Sequence, residues 1–293
     1  MEISTFVSLA VIGLMNQKRL PLHANFMIRS LFTSLVFALL LSTGCKSVYE
    51  EVRASNDPVR ILKTADDFFE KEEYYKAQTL YEQIIPFYRG KKEAEQLFYN
   101  YSYTYYHQDQ FLLSAYYFNN FVSTFYNSDK REEMAYMSAY SNYLMSPNHK
   151  LDQTPSLQAI EELQNFINLY PNSPRVDECN ELMDELRAKM EKKSYSQGKL
   201  YYDLKSYQSA VSSLENTLKD FPETDRAEEI RYLIIKSSEE LARNSIYEKM
   251  QRRLEKTIDL CDAFKRKYPE SPKQNEISSI IKYCNTELKR FSL

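Results

Sequence analysis

The sequence predicts an all-α protein, a right-handed α-solenoid of about five antiparallel helix hairpins with a C-terminal capping helix. Three observations lead there. The stretch from Gly198 to Pro222, GKLYYDLKSYQSAVSSLENTLKDFP, reads as one complete hairpin. Its spacing recurs, with a small residue followed by an aromatic eleven positions later: Ala77 to Tyr88, Ala115 to Tyr126, Ala159 to Tyr170, Ala210 to Phe221 and Thr257 to Tyr268. Only four glycines occur in 293 residues, and Gly13 and Gly44 precede the body of the chain. That is too few for sheets joined by tight turns.

Within the Gly198 stretch, Tyr201, Tyr207, Ala210, Leu214 and Pro222 stand where a tetratricopeptide repeat places its aromatics, small residue, apolar residue and terminal proline. Gly198 and Ala210 are small where the two helices would cross, and Pro222 lacks the N–H that would continue the second helix. A single hairpin cannot bury its own apolar face and must stack on copies of itself. First helices repeat as well. Ile61/Ala65/Phe68, Tyr99/Tyr103/Tyr106 and Tyr136/Tyr140/Tyr143 share one spacing, which places each trio on one helix face as core. The small residues recur at intervals of 38 to 51 positions (77 to 115, 159 to 210), longer than the roughly 34 of a standard repeat. Extended helices or enlarged loops are therefore expected.

Residues 1–44 read as targeting sequence. Met27-Ile28-Arg29 is a short positive segment, Leu31 to Leu41 an apolar run too short for a comfortable membrane span, and Ser42-Thr43-Gly44-Cys45 follows. This resembles a bacterial lipoprotein signal, which implies cleavage before Cys45 and acylation of that residue. Ser42 stands where leucine is usual, and the alternative is a signal anchor with unmodified Cys45. The signal is complete from Met27, so initiation there is expected. Residues 45–57 form a lipidated tether, polar and without periodicity. Residues 58–172 hold repeats one to three, and 173–293 a long connecting helix, repeats four and five and the capping helix. Asp57-Pro58 opens the first helix with a capping acceptor and a proline, and Thr154-Pro155, Ser173-Pro174 and Ser271-Pro272 repeat the device. Ser146 to Pro155 is an inserted loop. From Pro174 to about Lys205 no breaker intervenes, predicting one helix of roughly 45 Å. Ile277, Ile280, Ile281, Cys284 and Leu288 lie on one face of the capping helix.

Composition narrows function. A net charge of −3 gives no reason to expect nucleic acid. Twenty-five tyrosines at helical spacing read as core filler. Cys179, Cys261 and Cys284 lie on apolar faces as small buried hydrophobes, and a Cys261–Cys284 disulfide is the alternative in an oxidising compartment. No metal-ligand spacing and no phosphate-cradling glycine loop occurs, so neither an enzyme nor a cofactor or metal site is expected.

From the core trios follow the residues of the inner, concave face. They are Val59, Leu62, Asp66 and Phe69 in repeat one, Leu97, Asn100, Thr104 and His107 in repeat two, and Met134, Met137, Ser141 and Leu144 in repeat three. Many are apolar, which suits a groove with a partner; the alternative is that these residues are core. The lysine and asparagine set with which some tetratricopeptide proteins clamp a carboxylate is lacking.

A lipobox, a short tether and five irregular repeats together resemble the BamD family, lipoproteins of the outer-membrane β-barrel assembly machine. The resemblance covers about residues 58–290. It includes QLFYNYSYTYYHQDQFLLSAYYFNNFVSTF (Gln96 to Phe125), Tyr136-Met137-Ser138 to Asn142-Tyr143, Asp152-Gln153-Thr154, FINLYPNS (Phe166 to Ser173) and the long helix ending YSQGKLYYDLKSYQSAV. It implies an outer-membrane scaffold facing the periplasm, anchored to the membrane by lipid. Its N-terminal repeats would engage unfolded outer-membrane β-barrel proteins, and its C-terminal repeats a BamA-like insertase. A scaffold for periplasmic cell-wall or division complexes is the other class that such repeats serve.

Overall fold

In the first, second and fourth hairpins the short turn between the two helices holds one non-glycine residue at positive φ. A computed structural model describes residues 48–291; the targeting segment and Cys45 lie outside the described residues. The chain divides inside its second helix into two units, residues 1–64 and 65–293.

In the first unit, α1 (Val48–Arg53) occupies the stretch expected to be an unstructured tether. Glu50 and Glu51 in its first turn and Arg53 at its end suit the helix dipole. Glu51 is tied to Arg60 at 2.7 Å, and Val52 is buried. Asp57 accepts the backbone N–H groups of Val59 and Arg60 at the start of α2 (Pro58–Glu70), as the capping signal predicts.

The second unit is a run of helix hairpins. The end of α2 turns into α3 (Tyr74–Tyr88), with Tyr81 donating to Asp66 at 2.6 Å. Then follow α4 (Ala94–Tyr106) with α5 (Phe111–Thr124), α6 (Arg131–Leu144) with α7 (Thr154–Leu169), α8 (Val176–Asp203) with α9 (Tyr207–Asp220), and α10 (Ala227–Arg243) with α11 (Tyr247–Lys267). The cap, α12 (Gln274–Leu288), packs on α11 through Ile277, Ile280 and Cys284. No strand occurs among the described residues. The long helix is α8. Its N-terminal half brings Cys179, Met183 and Leu186 into the core of hairpins two and three, and its C-terminal half pairs with α9.

Two parts of the sequence reading need correction. Glu72, Asp109 and Lys205 hold the positive φ of the short turns (60°, 57° and 58°), and each lies five positions before a fully buried small residue: Ala77, Ser114 and Ala210. The small residue of repeat two is thus Ser114, not Ala115. Its aromatic partner is Phe125, which ends α5 as Tyr170, Phe221 and Tyr268 end α7, α9 and α11, whereas Tyr126 is 71% exposed. The first helices slip with it. Ala65, Ala139 and Gly198 stand five positions before the ends of their helices (Glu70, Leu144, Asp203), and buried Ser102 stands four before Tyr106. In α4 and α6 the tyrosine trios therefore border the core, only Tyr136 among the six being buried in it, and their neighbours make most of the core face. The second correction concerns helix starts. Ser173 and Ser271 cap a turn just ahead of the helix, accepting from the N–H of Arg175 and Lys273, and Ser128 and Thr224 do the same without a proline. Ahead of α7 the acceptor is Asp152, on the N–H of Thr154.

Successive first helices are joined by one repeated device. Lys130, Arg175, Arg226 and Lys273 each stand at the N-cap of α6, α8, α10 and α12 and lie over the ring of Tyr99, Tyr136, Tyr195 and Tyr232, 4.2–5.1 Å from its centroid. Three residues on, Glu133, Glu178, Glu229 and Glu276 accept the hydroxyl of that same tyrosine at 2.6–2.9 Å. Glu95, Glu191 and Glu228, one turn before their tyrosines, accept the capping hydroxyls of Ser128, Thr224 and Ser271. Cation–π and charge-assisted contacts of this kind contribute about 0.5–1 and 1.5–3 kcal/mol respectively. The tyrosines expected to be mere filler thus bind one hairpin to the next through their hydroxyls.

Candidate functional site

Of the twelve residues predicted to line a groove, the structure buries most of those in α4 and α6. Leu97, Thr104, Met134 and Ser141 are fully buried, and Asn100 and Met137 keep 8% exposure each. Met134 and Met137 belong to the core of hairpins two and three, and Ser141 accepts the hydroxyl of Ser114 at 2.9 Å. The one-residue slip is the reason: counting from Tyr99 and Tyr136 as core selects the helix face that turns inward. Leu144 is half-buried. In the first unit Val59 is exposed and Leu62 half-buried.

Asp66, Asn100, Phe69 and His107 are brought together. Asn100 donates to Asp66 and to Tyr81, both at 3.1 Å, and receives Gln96 at 2.7 Å. Beside this polar knot, His107 stacks on Tyr74 with ring centroids 4.3 Å apart, and Phe69 meets both edge-on. Burial holds the His107 imidazole below its ordinary pKa, with Glu72 opposing weakly.

Counting from Ser102 and Ala139 instead, the outward face of α4 is Gln96, Tyr99, Tyr103 and Tyr106, and that of α6 is Glu133, Tyr136, Tyr140 and Tyr143. All six tyrosines are half-buried except Tyr136, which is buried beneath Arg175. The rings form one row on each helix. Tyr99 and Tyr103 lie 4.8 Å apart, Tyr103 reaches Tyr106 and His107, and Tyr136, Tyr140 and Tyr143 stack at 5.6 and 5.7 Å with nearly parallel planes. Burial raises the Tyr106 phenol above its ordinary pKa, and the nearby Tyr140 adds to the shift. Carboxylates hold the hydroxyls: Tyr103 donates to Glu133 and Tyr143 to Glu185, both at 2.5 Å. The Glu185 hydrogen bond, aided by burial, pushes Tyr143 up to about 12. Burial and Glu133 raise Tyr99 and Tyr103 too. The raised phenols of Tyr99, Tyr103, Tyr106, Tyr136 and Tyr143 are neutral at physiological pH. The arrangement offers flat apolar rings with polar edges in fixed orientation, which suits apolar and aromatic side chains of an extended chain.

The sequence reading missed these residues as a surface because it spent them as core. Cys179, Cys261 and Cys284 are free, buried thiols, each held protonated by desolvation, with Cys179 and Cys284 at about 11 and Cys261 at about 12. Cys261 and Cys284 share one core without a bond between them. No helix among the described residues is long and apolar enough to cross a membrane.

Stacked two-helix hairpins with an aromatic face on their first helices define a tetratricopeptide-type α-solenoid. A family model described as "YfiO: Outer membrane lipoprotein" matches residues 55–254, well over half of the chain. The chain belongs to that family, the BamD lipoproteins of the outer membrane. No curated protein matches it. Among solved structures it is similar to the TPR2AB-domain:pHSP90 complex of yeast Sti1, at 12% identity and TM-score 0.36, over 78% of this chain and 98% of that one. It is also similar to a Podospora anserina kinesin light chain repeat protein (16%, TM-score 0.30, 74% and 100%) and to apo RapI (16%, TM-score 0.29, 78% and 84%). At such scores these likenesses carry no weight of their own, and the repeat architecture stands on the hairpins themselves.

Proposed function

We propose that this protein is a lipid-anchored, periplasm-facing scaffold of the outer-membrane β-barrel assembly machine. Its first three hairpins hold unfolded barrel proteins, its last two dock on a BamA-like insertase, and it performs no catalysis. Acylated Cys45 supplies the anchor. The observation that carries this reading is the row of half-buried tyrosine rings on α4 and α6, in a chain that belongs to an outer-membrane lipoprotein family. An unfolded barrel protein presents extended segments rich in aromatic and apolar side chains. Burying each such side chain contributes about 1.5–3 kcal/mol, and ordering the segment takes much of it back, so affinity is modest and rests on few anchors.

The test uses Phe69→Ala with Tyr140→Ala. Neither side chain donates a hydrogen bond, and both lie among the rings. The double variant is expected to keep its helical content and its capture of the insertase while binding a barrel protein's C-terminal peptide about tenfold or more weakly. Tyr75→Ala with Tyr116→Ala, on exposed faces of α3 and α5, is the control that leaves binding intact. Unchanged peptide affinity in a folded Phe69/Tyr140 variant refutes the tyrosine face as the client site.

A further inference from the structure

Alone among the described α-helices, α5 carries no charged residue: FLLSAYYFNNFVST runs for about four turns without an acid or a base. Its inner face is accounted for by Ser114, Phe118 and Phe121, which are buried in the core. Its outer face is not. Leu112, Tyr116, Asn119 and Ser123 follow one another at helical spacing and are all exposed, Leu112 at 70% and Tyr116 at 62%. Leu113 stands exposed beside them. Gln108, one turn before Leu112, donates to Gln78 of α3 at 2.7 Å, which joins the start of that helix to the patch. There Tyr75 is 71% exposed. The outward face of a helix in water normally carries its charges. Large apolar groups that are gathered rather than scattered mark a surface that something covers.

We propose that the outer face of α5, with Tyr75 of α3, rests on the lipid bilayer, and that Leu112 and Tyr116 enter its interfacial layer. Charge favours lipid as the occupant. Charged groups give a protein partner its steering and register, and α5 offers none. The nearest ones on the chain are Glu72 and Asp109, in the turns just ahead of α3 and α5, and Lys76, which Glu73 already engages. Nothing there attracts an anionic surface, so the contact is apolar. Tyrosine suits such a boundary, its ring facing the acyl chains and its hydroxyl the wet layer. Asn119 and Ser123 are left at the level of the headgroups. A bilayer is at hand, because the chain belongs to an outer-membrane lipoprotein family. The inference rests on attachment through residues 1–45, by acyl chains on Cys45 or by the apolar run at 31–41 kept uncleaved. It adds an orientation to that anchor: the second helices of the first hairpins lie against lipid, and the tyrosine rows of α4 and α6 stay open to clients.

The chain has no tryptophan, so a single one reports its own surroundings. Tyr116→Trp, and as control Ser196→Trp at an exposed position of α8, are introduced into the full chain. Each protein is reconstituted in phosphatidylcholine vesicles, with and without lipid brominated in the upper part of the acyl chain. Interfacial helices bury their apolar face by roughly 5–10 Å, so brominated lipid should quench the Tyr116→Trp emission by about twofold or more. The Ser196→Trp emission should not change. Adding Leu112→Asp and Leu113→Asp to Tyr116→Trp should abolish the quenching at unchanged helical content, since both positions are exposed and acids suit the first turn of a helix. No quenching of Tyr116→Trp, equal quenching of both reporters, or quenching that survives the two aspartates overturns the proposal. A blue shift of Tyr116→Trp that grows with protein concentration in detergent makes a second copy the occupant, and overturns it too. Mass spectrometry of the same preparation reads acylation separately. An unmodified Cys45 refutes the acyl anchor, while the quenching still decides whether α5 lies on lipid.

Discussion

Gly198 is the one glycine among the described residues that sits inside a helix, and its replacement by alanine has a sign that can be worked out. A Cβ built there would stand 2.5 Å from Cδ2 and 2.7 Å from Cγ of Leu214. Leu214 has nowhere to retreat: it is fully buried among Tyr195, Val211, Ile230 and Ile234. Helix propensity favours alanine by about 1 kcal/mol. Overpacking a filled core costs about 1–3 kcal/mol, so Gly198→Ala should destabilise by about 1 kcal/mol net, a fall in melting temperature of roughly 2–4 °C. Leu214→Ala alone should cost about 2–5 kcal/mol by opening a cavity. In that background the added methyl meets empty space, the propensity gain survives, and Gly198→Ala becomes stabilising. Urea unfolding of the four chains, followed by circular dichroism, measures the reversal. If Gly198→Ala stabilises the parent chain, or has the same effect in both backgrounds, the close approach of α8 and α9 is not what fixes glycine there.

Three further outcomes follow from the tyrosine contacts and the anchor. Tyr143, Tyr195 and Tyr232 are held near 12, against an ordinary 10; a raised phenol pKa gives stability that is intact below pH 10 and lost as pH climbs toward 12, so alkaline unfolding should accompany a late step in tyrosinate absorbance. Tyr195→Phe and Glu229→Gln, combined in a double-mutant cycle, should show a coupling of about 0.5–3 kcal/mol, and additive effects would mean that the 2.6 Å bond contributes nothing. Cys45→Ser should move the protein from washed membranes to the soluble periplasmic fraction, since buried acyl methylenes at about 0.8 kcal/mol each make the attachment.

Much of this fold was legible because its signals are local. The hairpin at Gly198, the long uninterrupted α8, the apolar stripe of α12 and the buried cysteines each depend on a few neighbouring residues. Register in repeat two was not legible from spacing, for a plain reason. Ser114 to Phe125 and Ala115 to Tyr126 both join a small residue to an aromatic eleven positions on, and α4 carries tyrosines at 99, 101, 103, 105 and 106, enough to supply either face. The rule that decides between them is the turn. Asp109 at positive φ stands five before Ser114, as Glu72 stands before Ala77 and Lys205 before Ala210. In repeat three the inserted loop between α6 and α7 hides the same count. Another signal was present and unread: Ser or Thr, one residue, Lys or Arg, two residues, Glu, at Ser128, Ser173, Thr224 and Ser271, each preceded in the earlier first helix by Glu and, four residues on, Tyr. It marks every junction from α4 onward and fixes which tyrosines face outward.

The same tyrosines therefore serve two purposes, and this bears on how the face works. Tyr99 offers its ring to the row on α4, yet its hydroxyl is held by Glu133 and its ring is covered by Lys130, both from the next hairpin. Tyr136 is tied in the same way to Glu178 and Arg175. A ring pinned at both ends does not need to be ordered when a partner arrives, so binding is spared the loss of side-chain freedom that weakens most loose aromatic surfaces. Tyr140 differs. It is stacked between Tyr136 and Tyr143 and needs no carboxylate, because its two pinned neighbours already fix its plane. Stacking of hairpins and readiness of the face are then one property: whatever loosens the Glu133 or Glu178 contacts frees the rings as well. Replacing both Tyr99 and Tyr103 by phenylalanine separates the two, since it keeps the apolar rings while releasing Glu133, the carboxylate that locks α4 to α6.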